Sequence, residues 1–368
     1  MFRTALLLMM AVRLHAIIWS TPTPITNDPL CTSSPFCIAQ LYNPKIKGIL
    51  ASWITLEKNQ ITYAVYTDEN QWSAPSIIDP SATSRIPPAL CYNPINEEVL
   101  LAWTDLTTGF PMYSRQIASG WSSPQPISNS EQSSVLLSLS TVRDTIVATW
   151  VNHNNSSAPL YAIYHDGKWG ATEEITNDPD FQVQGSVMSC YDPICKTLLA
   201  VWGNLHTTYP QYAIYNGKSW SSPNTITSNS EVIHNCALVY DNQRQRTIIT
   251  WGDSHNQSSP TYAIYQNGFW RVFQRPIPNS LEIQLNTLLA GNPTANEIWA
   301  SWGTALESIP TYTKLVSTRW AAPKAISLDS RVLGDVTLSI YPPSNKILAI
   351  WISDDGDSVP TYSIGVEK

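Results

Sequence analysis

One stretch decides the fold: Leu199-Ala-Val-Trp202-Gly-Asn-Leu-His-Thr-Thr-Tyr-Pro210-Gln-Tyr212-Ala-Ile-Tyr215-Asn-Gly-Lys-Ser-Trp220-Ser-Ser-Pro223-Asn-Thr-Ile226. Its first tryptophan, which ends an aliphatic run, recurs at intervals of 50, 47, 52, 49, 51 and 49 residues, as Trp53, Trp103, Trp150, Trp202, Trp251, Trp302 and Trp351. Seven copies of a unit about 50 residues long are typical of propellers and solenoids. We therefore interpret residues 17–368 as one repeat domain.

Each repeat carries four strand signals, which we name strands A to D in chain order. Strand A ends in a turn such as Tyr191-Asp-Pro193, and strand B ends at the tryptophan just described. Strand C opens with a proline two residues before a tyrosine, as in Pro210-Gln-Tyr212, a position where a strand tolerates proline. Strand D begins with a second tryptophan series: Trp72, Trp121, Trp169, Trp220, Trp270 and Trp320. The sequence thus predicts a four-stranded antiparallel sheet in each repeat.

The two ends of the chain distinguish a closed ring from an open solenoid. The last repeat stops after strand C, at Pro360-Thr-Tyr362, with no strand D behind it. The segment Trp19-Ser-Thr-Pro22-Thr-Pro-Ile25 matches strand D at the other end of the chain. We therefore predict an all-β fold, a seven-bladed β-propeller of four-stranded blades, whose last blade is shared between residues 17–25 and about 334–368.

The N-terminal segment and the charge indicate where the protein acts. Residues 1–16 have a basic start, an apolar stretch from Ala5 to Val12 and a cleavage site after Ala16, which is the pattern of a signal peptide. We expect a secreted or cell-envelope protein, either periplasmic or on the outer surface. The net charge of −7 and the pI near 5.3 disfavour nucleic acid as a partner. Eight apolar residues are too few to cross a bilayer, so we expect no membrane insertion, and we expect a monomer.

The six cysteines fit an oxidising compartment. Cys190 and Cys195 bracket a turn between two strands, and Cys31 and Cys37 bracket a short loop, so these are the two disulfides that we predict. Cys91 and Cys236 lie in distant repeats and are expected to be buried thiols. Six cysteines permit many other pairings, and their spacing does not choose among them.

The variable loops, between strands B and C and between strands D and A, emerge on one face of a propeller and are expected to carry function. His153, His206 and His255 follow the strand B tryptophan in successive repeats, Asp253 precedes His255, and His234 lies where strand A of the fifth repeat begins. Equivalent loops of adjacent blades are about 10 Å apart, whereas metal ligands sit about 2 Å from the ion. These loops are therefore too far apart to share a metal ion, and we predict no metal and no cofactor. We predict instead that these five residues contribute to ligand binding.

Two local features resemble the sialidase group of propellers. Ser84-Arg85-Ile86-Pro87 resembles the Arg-Ile-Pro motif of that family, and the turn Asn216-Gly217-Lys-Ser-Trp220 resembles its Asp-box turns. The resemblance implies that Arg85 would bind a substrate carboxylate, which makes it the candidate catalytic residue. It is limited to one three-residue motif and a turn pattern, so it is an analogy of fold.

Three hypotheses for function follow. The first is an exported binding module, without enzymatic activity, that holds a glycan or another protein on the face formed by the B–C and D–A loops. The second is a sialidase-like glycoside hydrolase that uses Arg85. The third is a structural scaffold. The near-uniform repeat, with no blade specialised by a cluster of acids, favours the first hypothesis.

Overall fold

A computed structural model of the 368-residue chain describes residues 17–27, 38–55, 57–67, 71–118, 120–129, 137–152, 157–292, 295–355 and 358–367. Seven antiparallel sheets are arranged as blades, and within each blade strand A lies on one edge and strand D on the other. This is the predicted seven-bladed β-propeller.

The strands are numbered in chain order. The first two belong to the last blade, and the next fourteen form blades 1 to 3: β1 (Ile17–Trp19), β2 (Thr23–Pro24); β3 (Ala39–Asn43), β4 (Gly48–Ile54), β5 (Ile61–Tyr66), β6 (Ser76–Ile77); β7 (Ala89–Asn93), β8 (Glu98–Thr104), β9 (Pro111–Ile117), β10 (Gly120–Trp121), β11 (Gln125–Pro126); β12 (Ser138–Val142), β13 (Thr145–Val151), β14 (Pro159–His165), β15 (Lys168–Trp169), β16 (Glu173–Glu174).

The remaining strands form blades 4 to 7: β17 (Val183–Asp192), β18 (Thr197–Asn204), β19 (Pro210–Tyr215), β20 (Asn224–Thr225); β21 (Val232–Asp241), β22 (Arg246–Asp253), β23 (Ser259–Gln266), β24 (Phe269–Pro276); β25 (Leu288–Asn292), β26 (Glu297–Gly303), β27 (Pro310–Val316), β28 (Arg319–Trp320), β29 (Lys324–Ala325); β30 (Val332–Tyr341), β31 (Lys346–Ser353), β32 (Pro360–Glu367). Two single-turn 3₁₀ helices, Pro179–Phe181 and Ser254–Asn256, interrupt loops of this part of the chain.

Strand B is the most buried strand of each blade. The seven strand B tryptophans are at most 1% exposed, and the aliphatic residues beside them are buried on the opposite face of the sheet. Neighbouring sheets therefore pack against both faces of strand B, as apolar residues on both sides require. Alanines two residues before the tryptophan, such as Ala200 and Ala300, are also fully buried, which allows the close stacking of blades.

The ring closes through the N-terminal strand, as predicted. Strand β1 pairs antiparallel with β32, with Ile17 opposite Glu367 and Trp19 opposite Gly365. Ser363 donates its hydroxyl to the Ser20 carbonyl at 2.6 Å. Residues from the two ends of the chain thus form one sheet, which leaves no blade without its outer strand.

Strand D is less regular than the sequence suggested. In five blades the residue three positions after the strand D tryptophan is proline, and these residues are Pro22, Pro75, Pro124, Pro223 and Pro323. Proline cannot donate to a ladder, and strand D of these blades is reduced to short pairings beside it; blade 3, which has Thr172 at this position, shows the same interruption between β15 and β16. Phe273 replaces this proline in blade 5, and β24 there runs for eight residues.

The predicted Cys190–Cys195 disulfide is wrong, because both residues are free thiols. Cys190 pairs in register with Leu199, so the residue across the hairpin from it is not Cys195. Cys195 lies in the turn, where its backbone N–H donates to Asp192 Oδ1 at 3.0 Å. Cys91 and Cys236 are buried free thiols, as expected. Cys31 and Cys37 lie outside the described residues, as does the segment 1–16.

No helix in the described part of the chain is long and apolar enough to cross a membrane. The expectation of an exported protein rests on the sequence alone.

Deleting residues 1–24 should open the ring. The deletion removes both β1 and β2, exposes the outer edge of β32 and takes Trp19 away from the last blade. We expect a melting temperature lower by at least about 5 °C, because several backbone hydrogen bonds and the packing of a partly buried indole are lost, together with aggregation on heating. The matched control is deletion of residues 1–16, which keeps both strands. Equal melting temperatures for the two deletions would contradict closure by this strand.

Candidate functional site

A cavity of about 260 Å³ lies on the propeller axis, at the end where the D–A loops enter strand A. All seven blades contribute to its wall, mainly through the first residues of strand A: Ile38, Ala39, Gln40, Pro87, Pro88, Ala89, Leu90, Leu137, Ser138, Leu139, Met188, Asn235, Cys236, Asn286, Leu288, Asp335 and Thr337, with Ile352 from strand B. The cavity therefore depends on ring closure, because no single blade builds it.

A ladder of side-chain to backbone hydrogen bonds forms one side of this wall. Asn235 Oδ1 accepts from the Ser186 N–H at 2.9 Å, and Asn286 Oδ1 accepts from the Asn235 N–H at 3.0 Å. Asp335 ends the ladder by accepting from both the N–H and the Nδ2 of Asn286, at 3.0 and 2.8 Å. Each blade thus orients the start of strand A in the blade before it, from blade 7 back to blade 4.

Bulges in strand A allow this ladder to form. The register shifts where the ladder residues lie in blades 4, 5 and 7, and the residue just before each one has a positive φ: Gly185 (77°), His234 (66°) and Gly334 (96°). A Cβ at Gly185 would lie 2.8 Å from the His234 carbonyl oxygen. Only glycine fits this close contact, so Gly185 allows strand A of blade 4 to approach strand A of blade 5.

Asp335 is the carboxyl group among the residues that line the cavity. Burial raises the pKa of its carboxyl to about 7, while the hydrogen bonds from Asn286 act in the opposite direction. A carboxyl group with a pKa near neutrality, in a concave site, is a common mark of a functional residue. At neutral pH it can both donate and accept a hydrogen bond.

The other side of the cavity is mostly apolar. Blades 1 to 3 contribute Ile38, Pro87, Pro88, Leu137 and Leu139, among others. Gln40 also lines this side, and its buried amide nitrogen and oxygen make no hydrogen bond with a described residue. The site therefore offers hydrogen-bonding groups on one side and an apolar surface on the other, an arrangement typical of small-molecule pockets.

The structure brings two of the predicted binding residues together in blade 5. Asp253 is fully buried, and its Oδ1 accepts from the N–H groups of Glu231 and His255, both at 3.2 Å. Gln274 Nε2 donates to its Oδ2 at 3.0 Å. The imidazole Nε2 of His255 lies 3.0 Å from a Glu231 carboxylate oxygen. Asp253 therefore orders this loop, and His255 and Glu231 form an exposed pair on its surface.

The other predicted histidines are separate from that pair. His206 is exposed in the B–C loop of blade 4, where its N–H donates to Asn204 Oδ1 at 2.8 Å. His234 is classed as exposed at the start of strand A in blade 5, and partial desolvation of its imidazole lowers the pKa of that group. His153 lies outside the described residues. Within the described residues, no group of three or more His, Cys, Asp or Glu side chains is arranged to hold a metal ion.

Arg85 stands next to the axial cavity but does not line it. The following residues, Pro87 and Pro88, form part of the cavity wall, whereas Arg85 itself is exposed and has no ion pair with a described residue. Ser84 fixes the backbone here, because its hydroxyl donates to the Ile86 carbonyl at 2.7 Å and accepts from the Ile86 N–H at 3.0 Å.

Sequence reasoning missed the ladder. Its four members, Ser186, Asn235, Asn286 and Asp335, recur at intervals of 49, 51 and 49 residues, in step with the tryptophans. A polar residue repeated at the start of an otherwise apolar inner strand was the signal that could have found them.

Comparison with known proteins gives fold relatives only. No protein-family model matches the chain, and no curated protein matches it. Among solved structures, the polysaccharide lyase Uly1 has a TM-score of 0.60 at 7% identity, over 95% of this chain and 99% of that one. A variant of AofleA from Arthrobotrys oligospora has a TM-score of 0.56 at 10% identity, over 85% and 91% of the two chains. A variant of the Aleuria aurantia lectin, solved with Fucα1-6GlcNAc, has a TM-score of 0.53 at 12% identity, over 78% and 94%.

These likenesses support the propeller fold, and none of them is to a sialidase. Identities this low carry the fold alone.

The raised pKa of Asp335 predicts a pH-dependent stability. The carboxyl titrates at about 7 in the folded chain, against an ordinary value of 3.8. Between these two pKa values the carboxyl is protonated in the folded state and ionised in the unfolded state. The contribution of Asp335 to the free energy of unfolding is therefore complete below the lower value and is lost as the pH rises through 7. From about pH 5 to about pH 8, the free energy of unfolding of the wild type should fall relative to that of Asp335→Asn. Urea titrations at several pH values measure the free energies of unfolding of both proteins. A difference between the two proteins that stays constant over this pH range would contradict the raised pKa of Asp335.

Proposed function

We propose that this protein is an exported carbohydrate-binding propeller, without catalytic activity, that holds a sugar unit in the axial cavity on its D–A loop face. The observation that carries the proposal is the composition of that cavity. A polar ladder that ends in Asp335 faces an apolar wall from blades 1 to 3. A sugar ring has the complementary pattern, with hydroxyl groups around its edge and an apolar face of C–H groups.

The hydrogen-bonding groups match a ligand that is both donor and acceptor. Asn235 Nδ2 makes no hydrogen bond with a described residue and can donate to a hydroxyl oxygen. Asp335 can accept from a hydroxyl, and charge-assisted bonds of this kind are stronger than neutral ones. The volume of about 260 Å³ suits one terminal sugar unit and not a polypeptide segment, which favours a glycan over a protein ligand.

The fold relatives support the same class of ligand. One is a lectin variant solved with a fucosylated disaccharide, and another is a polysaccharide lyase. Export is supported by the signal-peptide pattern of residues 1–16.

The test is the loss of one donor at the cavity. Asn235→Asp keeps the oxygen that accepts from Ser186 and replaces the free amide with a carboxylate oxygen. We expect affinity for the bound glycan to fall by about tenfold or more, equivalent to one lost hydrogen bond of about 1.4 kcal/mol. Glycan-array screening identifies the ligand and calorimetry measures the affinity. Asn224→Asp, the same change on an exposed outer strand, is the control. Equal affinities for the two variants would reject the axial site.

The sialidase-like alternative makes a different prediction for Arg85. A substrate carboxylate held by its guanidinium would form a bidentate pair, for which lysine is a poor substitute. Under our proposal Arg85 is a surface residue, so Arg85→Lys should change neither the glycan affinity nor the free energy of unfolding beyond about 1 kcal/mol. Neither protein should cleave a fluorogenic sialoside. Cleavage by the wild type that falls about a hundredfold in the variant, about 2.7 kcal/mol of transition-state stabilisation, would favour the hydrolase.

A further inference from the structure

Three loops of blade 6 meet on the loop face of the propeller. They are the D–A loop that enters the blade, its B–C loop and the D–A loop that leaves it, residues 277–287, 304–309 and 326–331. The Ala305 N–H donates to the Glu282 carbonyl at 2.9 Å, and the Val332 N–H donates to the Ser308 carbonyl at 2.7 Å. The B–C loop is therefore bonded to the loops on both sides of it, and the three loops form one continuous surface.

Each of these loops carries an exposed leucine. Leu281, Leu306 and Leu328 are 57%, 88% and 78% exposed, so their side chains pack on little of their own chain. Leu106 and Leu205, on loops of blades 2 and 4, are less exposed, and each is the only such leucine among the described residues of its blade. Single exposed apolar residues are ordinary, whereas a group of them on one surface marks an interaction site.

The other blades have polar residues where blade 6 has Leu306 and Leu328. The fourth residue after the strand B tryptophan, which is Leu306 in blade 6, is elsewhere Glu57, Thr107, Asn154, His206, His255 and Asp355. The second residue after the isoleucine that follows strand D, which is Leu328 in blade 6, is elsewhere Asn27, Pro80, Asn129, Asn177, Ser228 and Asn279. The packing of the blades therefore does not require a leucine at either position.

The position of Leu281 is buried in other blades. Ile283, two residues later, donates its N–H to the B–C loop of the preceding blade, and Val232 and Val332 do the same. The residues two before these valines are Ser230 and Ser330, and both are buried. Blade 6 thus has an exposed leucine where its neighbours have a buried serine.

An acidic residue follows each of the three leucines: Glu282, Glu307 and Asp329. All three are exposed, and their carboxylates make no ion pair or hydrogen bond with a described residue. Two cations lie near them, Lys324 on β29 and Arg331, and Arg331 is next to the Asp355 carboxylate, which accepts from its backbone N–H at 3.3 Å. We call the three leucines and the three acids that follow them the blade 6 crest.

The crest is fixed in place and adjoins a small groove. The Ser308 N–H donates to the Thr304 carbonyl at 3.0 Å, and the Ile309 N–H donates to the Thr304 hydroxyl at 2.9 Å. A groove of about 160 Å³ lies beside the B–C loop, and Leu281, Ile309 and Pro323 form part of its wall. A surface that is already ordered loses little conformational freedom when a partner binds.

The charge of the crest selects among partners. An anionic membrane surface attracts basic segments, so three free carboxylates disfavour it. A second copy of the chain, related by a two-fold axis, would bring the same carboxylates face to face, and each copy has a net charge of −7. Leucine side chains offer no hydrogen-bonding group to the hydroxyls of a glycan. A partner with apolar residues flanked by lysine or arginine complements both the leucines and the acids.

We propose that the blade 6 crest binds a protein partner through a basic amphipathic helix. The three leucines pack against the apolar stripe of the helix, and an apolar side chain of the helix enters the adjoining groove. Lysine or arginine residues along the edges of the stripe pair with Glu282, Glu307 and Asp329. This interaction is independent of glycan binding, because the crest shares no residue with the axial cavity.

The probe is a fluorescently labelled peptide of about 18 residues, or five turns of helix, with leucine on one face and lysine on the other. A second peptide has glutamate in place of lysine. Fluorescence anisotropy at physiological ionic strength measures binding to the full chain and to Leu306→Ser, Leu328→Ser and Glu307→Gln. The matched controls make the same changes in B–C loops of other blades: Leu205→Ser in blade 4 and Glu57→Gln in blade 1.

We expect Leu306→Ser and Leu328→Ser each to weaken binding of the lysine peptide at least about tenfold, because each removes a leucine that the helix buries. Glu307→Gln should weaken it about two- to fivefold, since an exposed ion pair contributes little. The two controls should leave the affinity unchanged, and the glutamate peptide should not bind. All the substituted residues are exposed, so the melting temperatures should equal that of the wild type.

No binding of the lysine peptide to the wild type, or a loss in Leu205→Ser as large as that in Leu306→Ser, would overturn the proposal. Sedimentation velocity and flotation with phosphatidylglycerol vesicles test the other two occupants. Self-association or vesicle binding that Leu306→Ser abolishes would assign the crest to a second copy or to a membrane instead. Asn235→Asp should leave peptide binding unchanged, so that failure of the axial proposal and failure of this one are observed separately.

Discussion

The structure depends on one contact, repeated at every interface of the ring. The strand D tryptophan of each blade packs edge-on against the strand C tyrosine of the preceding blade. The seven pairs have ring centroids 5.1 to 5.9 Å apart: Trp19–Tyr312, Trp72–Tyr362, Trp121–Tyr63, Trp169–Tyr113, Trp220–Tyr161, Trp270–Tyr212 and Trp320–Tyr262. Such pairs contribute about 0.5 to 1.5 kcal/mol each beyond the area they bury. Trp19 completes the series, so the N-terminal strand supplies the pair at the interface between blades 6 and 7.

This outer series of aromatic pairs leaves the inner strands free to vary. Strand A contributes to the axial wall and not to the Trp–Tyr contacts, so its first residues can be polar without loss of packing. The ladder through Asn235, Asn286 and Asp335 uses this freedom and carries blade-to-blade contact on the inner side. Adjacent blades are thus held by aromatic pairs on the outer side and, from blade 4 to blade 7, by hydrogen bonds on the inner side. A chain with only 13% charged residues can in this way keep defined polar groups at its axis.

The sequence predicted those features that every repeat shares. The period of the tryptophans, the Pro-x-Tyr opening of strand C and the displaced strand D at Trp19 were enough for blade number, strand order and closure. The Cys190–Cys195 pairing failed because a turn of this length places Leu199, not Cys195, opposite Cys190. The axial ladder was missed because three of its four residues lie at bulges, where a glycine or a histidine with positive φ shifts the register of strand A. Local patterns of period two cannot reveal such a shift.

The axial site includes one position at which a blade departs from the repeat. At residue 335 a carboxylate stands where blade 5 has Asn235 and blade 6 has Asn286, and its pKa rises to about 7. A repeat that needs each position only for packing would have kept the same residue type there. Where one copy instead has a buried acid, burial disfavours its charged form, and a ligand that hydrogen-bonds to the carboxylate can offset that cost.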